Sequence, residues 1–212
     1  MTGPGSGVVT ISRLYGAGGV RVADAVATAL GFRKVDRELV EQAGRRLGMD
    51  AELAASLDER VPALIEEVGL ALAGGELPVA VPQPTVGDRA LAEAVRRVIE
   101  SLAAAGGYVI LGRGGQAMLR DRPDAVHLQL VGTLEDRARR IMEWRGVSED
   151  EGRAQCRRVD ADRAAYVRRF ADADINDPLL YDAILNTSRM GVDGATDAAV
   201  AIARHRLGPG RT

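Results

Sequence analysis

The stretch whose residue types could do chemistry is SRLYGAGGVR, residues 12–21. The β-branched run before it, residues 8–11, reads as a buried parallel strand. Glycines follow at Gly16, Gly18 and Gly19. An amphipathic helix pattern then begins, with Val22, Ala23, Val26 and Leu30 on one side. Strand, glycine loop and helix together make a phosphate site. The glycines let the backbone wrap closely around an anion, and the helix N-terminus aims N–H groups and a partial positive charge at it. The lysine form of such a loop is G-x-x-x-x-G-K-[ST]. Here Gly18 stands at the second glycine, Gly19 at the lysine and Val20 at the hydroxyl residue. Lys34 is the only lysine in the chain, so no neighbouring ammonium can deputise. Losing one preorganised charge donor at a reacting centre typically costs about 2.7–4 kcal/mol. Either a guanidinium has taken over or the loop only binds, and Arg13 and Arg21 flank it. Ser12, Arg13, Tyr15, Gly16, Ala17, Gly18, Gly19, Val20 and Arg21 are the candidate nucleotide-binding residues.

Three further groups could join this loop. Residues 112–115, Gly-Arg-Gly-Gly, follow the strand pattern at residues 108–111, and an arginine at a strand end can grip a phosphoryl oxygen with two parallel hydrogen bonds. A helix opened by the capping box Ser148–Glu151 carries Arg157, Arg158, Asp160, Asp162, Arg163, Tyr166, Arg168 and Arg169. At about 100° per residue, Arg158, Asp162 and Arg169 share one side of it. Positioned arginines there could stabilise the charge that phosphoryl transfer spreads over the transferred oxygens; an Arg158–Asp162 pair on a solvated face is the plainer alternative. Asp36, after a weak strand at residues 32–35, could meet a magnesium ion through water, orient an acceptor, or simply cap the next helix.

The elements that must position these groups alternate along the chain. Strand patterns fall at residues 8–11, 32–35, 108–111, 126–131 and 183–185. Helical patterns fall at about 20–30, 37–47, 51–73, 88–105, 134–145, 149–170 and 193–206. That alternation predicts a parallel sheet covered on both faces, with ligands beyond the carboxyl ends of the strands. The proline- and glycine-rich stretch 74–87 reads as a loop inside an inserted segment. At 212 residues the chain suits one domain, and a 46% hydrophobic share is enough for a core built of Ala, Val, Leu and Ile. Net charge near −2 argues against non-specific nucleic-acid binding. The single cysteine, Cys156, excludes an intrachain disulfide, reads as a packing residue and fits a reducing cytoplasm. His127 and His205 are isolated, and no run suggests a membrane span or a targeting segment.

Taken together, TISRLYGAGG, Asp58-Glu59-Arg60, GRGG, the arginine helix and YDAILNTSR at residues 181–189 resemble the cytidylate kinase-like family of P-loop nucleoside-monophosphate kinases. The loop looks like that family's lysine-free variant, ISR-x-YG-x-GG. The resemblance implies an α/β, three-layer P-loop kinase fold with a parallel central sheet. Its core would comprise residues 8–36, 106–133 and 171–206, with a helical acceptor-binding subdomain at 37–105 and an arginine-rich lid at 134–170. It also implies ATP and magnesium as cofactors, nucleotides as small-molecule partners, and ATP-dependent phosphoryl transfer to a CMP- or dCMP-like nucleoside monophosphate or a similar small acceptor; a homodimer stays open. Arg13, Arg158 and Arg163 would be catalytic, and Asp36, Arg113 and Asp162 would bind the acceptor. Better-known bacterial cytidylate kinases have G-P-S-G-A-G-K-G-T where this sequence has residues 13–21, and GRD where this chain has Gly114. An acceptor-phosphate arginine becomes Gln42, and a lid arginine that helps read cytosine becomes Ala165. Those departures keep two other readings open: a non-catalytic nucleotide-binding regulatory module, and a kinase of a non-nucleotide metabolite.

Overall fold

The computed structural model describes residues 7–36, 39–40, 42–43, 65 and 89–207. The helical patterns expected at 51–73 and over most of 37–47, the loop 74–87 and Asp58-Glu59-Arg60 lie outside the described residues.

The described strands form one parallel sheet in the order β2-β3-β1-β4-β5. They are β1 (Val8–Arg13), β2 (Arg33–Val35), β3 (Tyr108–Leu111), β4 (Ala125–Val131) and β5 (Ala183–Asn186). The helices are α1 (Gly19–Leu30), α2 (Arg89–Ala105), the single turn α3 (Gly115–Met118), α4 (Leu134–Arg145), α5 (Glu149–Ala171) and α6 (Thr187–Leu207). Strand β1 lies at the switch point, between β3 and β4, and outruns β3: Ile11 is level with Leu111, whereas Ser12 and Arg13 pair only with β4. A crevice at the carboxyl end of β1 follows from that order.

Residue type explains why both faces are covered. Val9 and Ile11 point to one face, where α1 packs Val22, Ala23 and Val26 and α6 packs Ala195, Ala199 and Ala203. Val8 and Ile110 point to the other, against Val95, Val98, Ile99 and Leu102 of α2. The three alanines of α6 are four residues apart, so they form one smooth stripe along which α1 can lie close. Among the described residues the alternation expected from the sequence is observed, with two additions. The turn α3 and a short 3-10 helix (Pro178–Leu180) had no sequence pattern long enough to announce them. Helix α6 starts six residues earlier than expected because a first turn at Thr187 is joined to the main run across Gly191, whose φ of 71° and ψ of 166° are not helical. The capping box of α5 forms as read, with the Ser148 hydroxyl accepting from Glu151 N–H and Glu151 accepting from Ser148 N–H. No helix among the described residues is long and apolar enough to cross a membrane.

His127 is a core residue. Its Nε2 lies 3.2 Å from the Leu119 carbonyl, which can only accept, so Nε2 carries the proton and Nδ1 accepts from the Thr10 hydroxyl at 2.7 Å. Burial holds the ring pKa below its usual 6.5, against the opposing pull of Asp182. A base with a depressed pKa stabilises the fold above the unfolded value and loses that contribution as pH falls through the folded one. The urea midpoint of the native chain should therefore drop between about pH 7.5 and about pH 5, and a His127→Gln variant should show a shallower drop. Parallel slopes would remove His127 as the cause.

Candidate functional site

The loop after β1 closes on tight backbone. Leu14 N–H returns to Leu130 O, Ala17 N–H to Leu14 O, and Gly16 and Gly18 adopt φ of 79° and 83°. Gly18 caps α1 with no side-chain hydrogen bond, and the first turn of α1 carries no acidic residue. The first N–H groups of a helix have no intrahelical partner. The amides of Gly18, Gly19, Val20 and Arg21 are thus presented together at the carboxyl end of β1, with the helix dipole behind them.

Arg13 supplies the nearest guanidinium. Its stem runs across Gly19, the position of the missing lysine: a Cβ there would lie 2.8 Å from Arg13 Cγ and 3.2 Å from Cδ. The guanidinium continues towards Gly112, where any Cβ would overlap Arg13 Nη1. Two glycines, one at the start of α1 and one after β3, clear the space this side chain fills. Arg21 points elsewhere, forming an ion pair with Asp193 of α6 on the exposed surface. Lys34 sits on β2 and pairs with Asp24 of α1, so the one ammonium of the chain is occupied away from the loop.

The second wall is the turn after β3. Gly112 N–H donates to Ile11 O, which stitches the turn to β1. Gly112, Arg113 and Gly114 all have positive φ, at 91°, 55° and 70°. A left-handed conformation is cheap for glycine and costs an arginine about 1–2 kcal/mol. The Arg113 guanidinium lies 4.6 Å from the centre of the Tyr166 ring, and Tyr166 leans on Phe170 at 4.9 Å. Burial pushes the Tyr166 phenol above its usual pKa, so it presents a neutral ring face to that cation. Below the turn, the Tyr181 phenol gathers hydrogen bonds from Ser12 and Gln116 and donates to Ile175 O at 2.7 Å. Ser12 is buried, so it serves this network under the loop.

The long helix α5 and its neighbour α4 form the third wall, where Arg137 and Arg140, which the sequence did not single out, join Asp160 and Arg163. Arg137 donates from Nη1 to Tyr15 O at 3.0 Å and to Asp160 Oδ2 at 2.7 Å. Asp160 Oδ1 accepts from Tyr15 N–H at 2.7 Å. Arg140 donates to Gly16 O and to the Thr187 backbone, and Arg163 donates to Arg13 O at 2.8 Å. Cys156 is buried against Tyr15 O, and burial raises its thiol pKa, as expected of a packing residue. Arg158 and Asp162 lie on the exposed side of α5. Asp36 accepts from Leu39 N–H at 3.0 Å, the geometry of a helix cap. The structure thus gathers Ser12, Arg13, Tyr15, Gly16, Ala17, Gly18, Gly19, Val20, Arg113 and Arg163 around one crevice. It turns Arg21 to α6, and Arg158 and Asp162 to solvent.

A magnesium ion prefers six oxygens, usually supplied by waters, phosphates and one or two carboxylates. Val20 offers no hydroxyl, and no group of three His, Cys, Asp or Glu capable of holding a metal exists among the described residues. The described residues do not fit a dedicated magnesium site.

A model of the cytidylate kinase-like family matches residues 8–189. No curated protein matches the chain. Among solved structures, an uncharacterized protein from Eubacterium ventriosum aligns with a TM-score of 0.69 at 20% identity, covering 94% of this chain and 98% of its own. A shikimate kinase from Bacteroides thetaiotaomicron aligns with a TM-score of 0.48 at 16% identity, covering 93% of this chain and 96% of its own. A shikimate kinase from Acinetobacter baumannii in complex with shikimate gives 0.48 at 16% identity, covering 94% and 92%. The described residues form a three-layer α/β fold, one parallel sheet packed by helices on both faces.

The close approach of α4 to the loop is directly testable. A Cβ at Gly16 would lie 2.7 Å from Arg137 O, at a φ of 79° that side chains avoid. Gly16→Ala should therefore destabilise the chain by about 1–3 kcal/mol, read as a lower urea midpoint. An unchanged midpoint would show that α4 yields.

Proposed function

The chain belongs to the cytidylate kinase-like family, and on that premise we propose that it transfers the γ-phosphoryl group of ATP to a nucleoside monophosphate of the cytidylate type, or to a similarly small acceptor. The family match supports a phosphotransferase in general terms. The observation that carries the finer reading is the path of Arg13 across Gly19. The lysine is missing, yet its space is filled by a cationic side chain entering from the preceding strand. The amides of residues 18–21 hold the donor phosphates and the Arg13 guanidinium neutralises charge beside them. Arginine suits this task because its planar fork can meet two phosphate oxygens at once and stays charged at any working pH.

Arg113 holds the acceptor phosphate on the other side of the crevice. Its left-handed backbone favours this role: glycine would sit there with less strain, so the side chain is what the position retains. Arg163 stands at the seam between α5 and β1 and meets the transferred group; Arg158 and Asp162, which face solvent, would join it on the transferred group and the acceptor sugar through a closing movement of the α4–α5 arm. No described residue would hold magnesium, so any magnesium the transfer uses would come with ATP and would supply neutralisation of phosphate charge. Charge is thereby neutralised where it develops, and the closing arginines exclude the water that would otherwise hydrolyse ATP.

Three departures favour a second reading, a module that binds nucleotide without turning it over: Gly19 for the loop lysine, Gly114 for an aspartate, and Gln42 for an acceptor arginine. Calorimetry with ATP, paired with coupled ADP release across CMP, dCMP, UMP and AMP, separates the two. Acceptor-stimulated ADP release supports the kinase; binding with no such release supports the module. For a kinase, Arg13→Ala should lower turnover by roughly 10²–10³, the usual cost of deleting a preorganised charge donor. Arg158→Ala should lower it at least about tenfold with the thermal midpoint unchanged, since Arg158 is exposed. Native turnover in either variant removes that arginine from the mechanism.

A further inference from the structure

Deepening the reading of residues 12–21 as a polyphosphate loop, we infer that Asp160 and Arg137 are positioning residues that hold this loop in its binding shape. The two side chains form an ion pair with side-chain exposures of only 18% and 7%, and the pair takes both main-chain polar groups of Tyr15. Asp160 accepts its N–H and Arg137 binds its C=O. A trans peptide is planar, with its C=O and N–H pointing opposite ways. Drawing Tyr15 O towards Arg137 therefore turns the Gly16 N–H to the other side of the loop. Arg140 fixes the next carbonyl, Gly16 O, and the Ala17 N–H then closes on Leu14 O. Arg163 fixes the carbonyl of Arg13, the residue whose side chain crosses Gly19. The carbonyls of residues 13, 15 and 16 are thus held by guanidinium groups of α4 and α5. The α4–α5 arm is a strut of the loop. With no ammonium to organise the donor phosphates, the loop's own geometry must be set beforehand, and this pair sets it.

A buried ion pair can also be merely structural, and two variants distinguish the cases. Replacing a buried pair by apolar residues of similar volume is often neutral for stability, whereas removing one partner is costly. The double variant Arg137→Met/Asp160→Leu should lose both hydrogen bonds to Tyr15, and with no unpaired charge left behind its thermal midpoint should fall by no more than that of Asp160→Asn. Asp160→Asn should lower the midpoint, because Arg137 is left without its counter-charge, yet keep an acceptor for Tyr15 N–H. We expect ATP affinity, measured by calorimetry on the full chain, to fall at least tenfold in the double variant and by less than threefold in Asp160→Asn. The donor KM should follow the same order with the acceptor KM unchanged, and the Tyr15 amide should exchange with solvent at least tenfold faster in Asp160→Ala. Affinity that follows the thermal midpoint through the series, or native Tyr15 exchange in Asp160→Ala, overturns the inference. Failure of the native chain to bind ATP would instead sink the polyphosphate reading, and Tyr15 exchange would still decide whether the pair shapes the loop.

Discussion

The structure depends on how a cation reaches the first turn of α1 when the chain offers no lysine there. The solution is steric before it is electrostatic. Arg13 is the last residue of β1, beyond the end of β3, so its side chain is not committed to the sheet core. Gly19 leaves the start of α1 bare and Gly112 leaves the turn after β3 bare. Either residue with a Cβ would expel the arginine. The glycines at 19 and 112, far apart in sequence, are thus one requirement: both make room for the same guanidinium. A lysine at residue 19 would compete for the space Arg13 occupies, so the two arrangements are alternatives rather than additions.

A loop of this kind is costly to hold because its polar backbone must be satisfied on one side and left available on the other. Arginine meets the first demand well, with five donors in a rigid fork that can serve a carbonyl and a carboxylate together. Arg137 does so with Tyr15 O and Asp160. Such a pair contributes little net stability, since desolvation offsets most of its attraction. Its value lies in specifying one loop geometry among several. Gly16 belongs to the same design, because only a residue without a Cβ lets α4 come near enough for Arg137 to reach.

How far the sequence exposed this follows from where each signal lies. The strands, the order of strand and helix, the glycine loop and the capping box of α5 are local patterns, readable within a window of a few residues, and among the described residues they are observed where expected. The docking face of α5 is not local. Helix arithmetic grouped Arg158, Asp162 and Arg169, which are exposed, as the active side. The side that meets the loop carries Cys156, Asp160, Arg163 and Val167, spaced four, three and four apart as a buried stripe should be. Two of those four residues are charged, so hydrophobic periodicity passed over the stripe. Arg137 and Arg140 were hidden because the loop carbonyls they hold, Tyr15 O and Gly16 O, lie more than a hundred residues away. The spacing of Asp160 from Arg163 and Cys156 was the available clue, and it means little until something apolar or polar is known to face it.

One helix touches both halves of the crevice, and that sets the geometry any transfer must use. Asp160 and Arg163 of α5 hold the loop that carries Arg13. Tyr166, on the same helix, stacks under Arg113, and Val167 packs beside it near Gly114. At 1.5 Å per residue, Asp160 and Tyr166 are about 9 Å apart along the axis. Because α5 is continuous and capped at its start, that spacing behaves as a fixed length between the donor loop and the arginine assigned to the acceptor. Phosphoryl transfer needs donor and acceptor oxygens in line, and misplacement of about 1 Å can cost roughly a hundredfold. A sheet alone would not fix this distance, since the loop and the turn leave it on separate strands. On this view α5 acts as a ruler, with Asp160 and Arg163 at one mark and Tyr166 at the other.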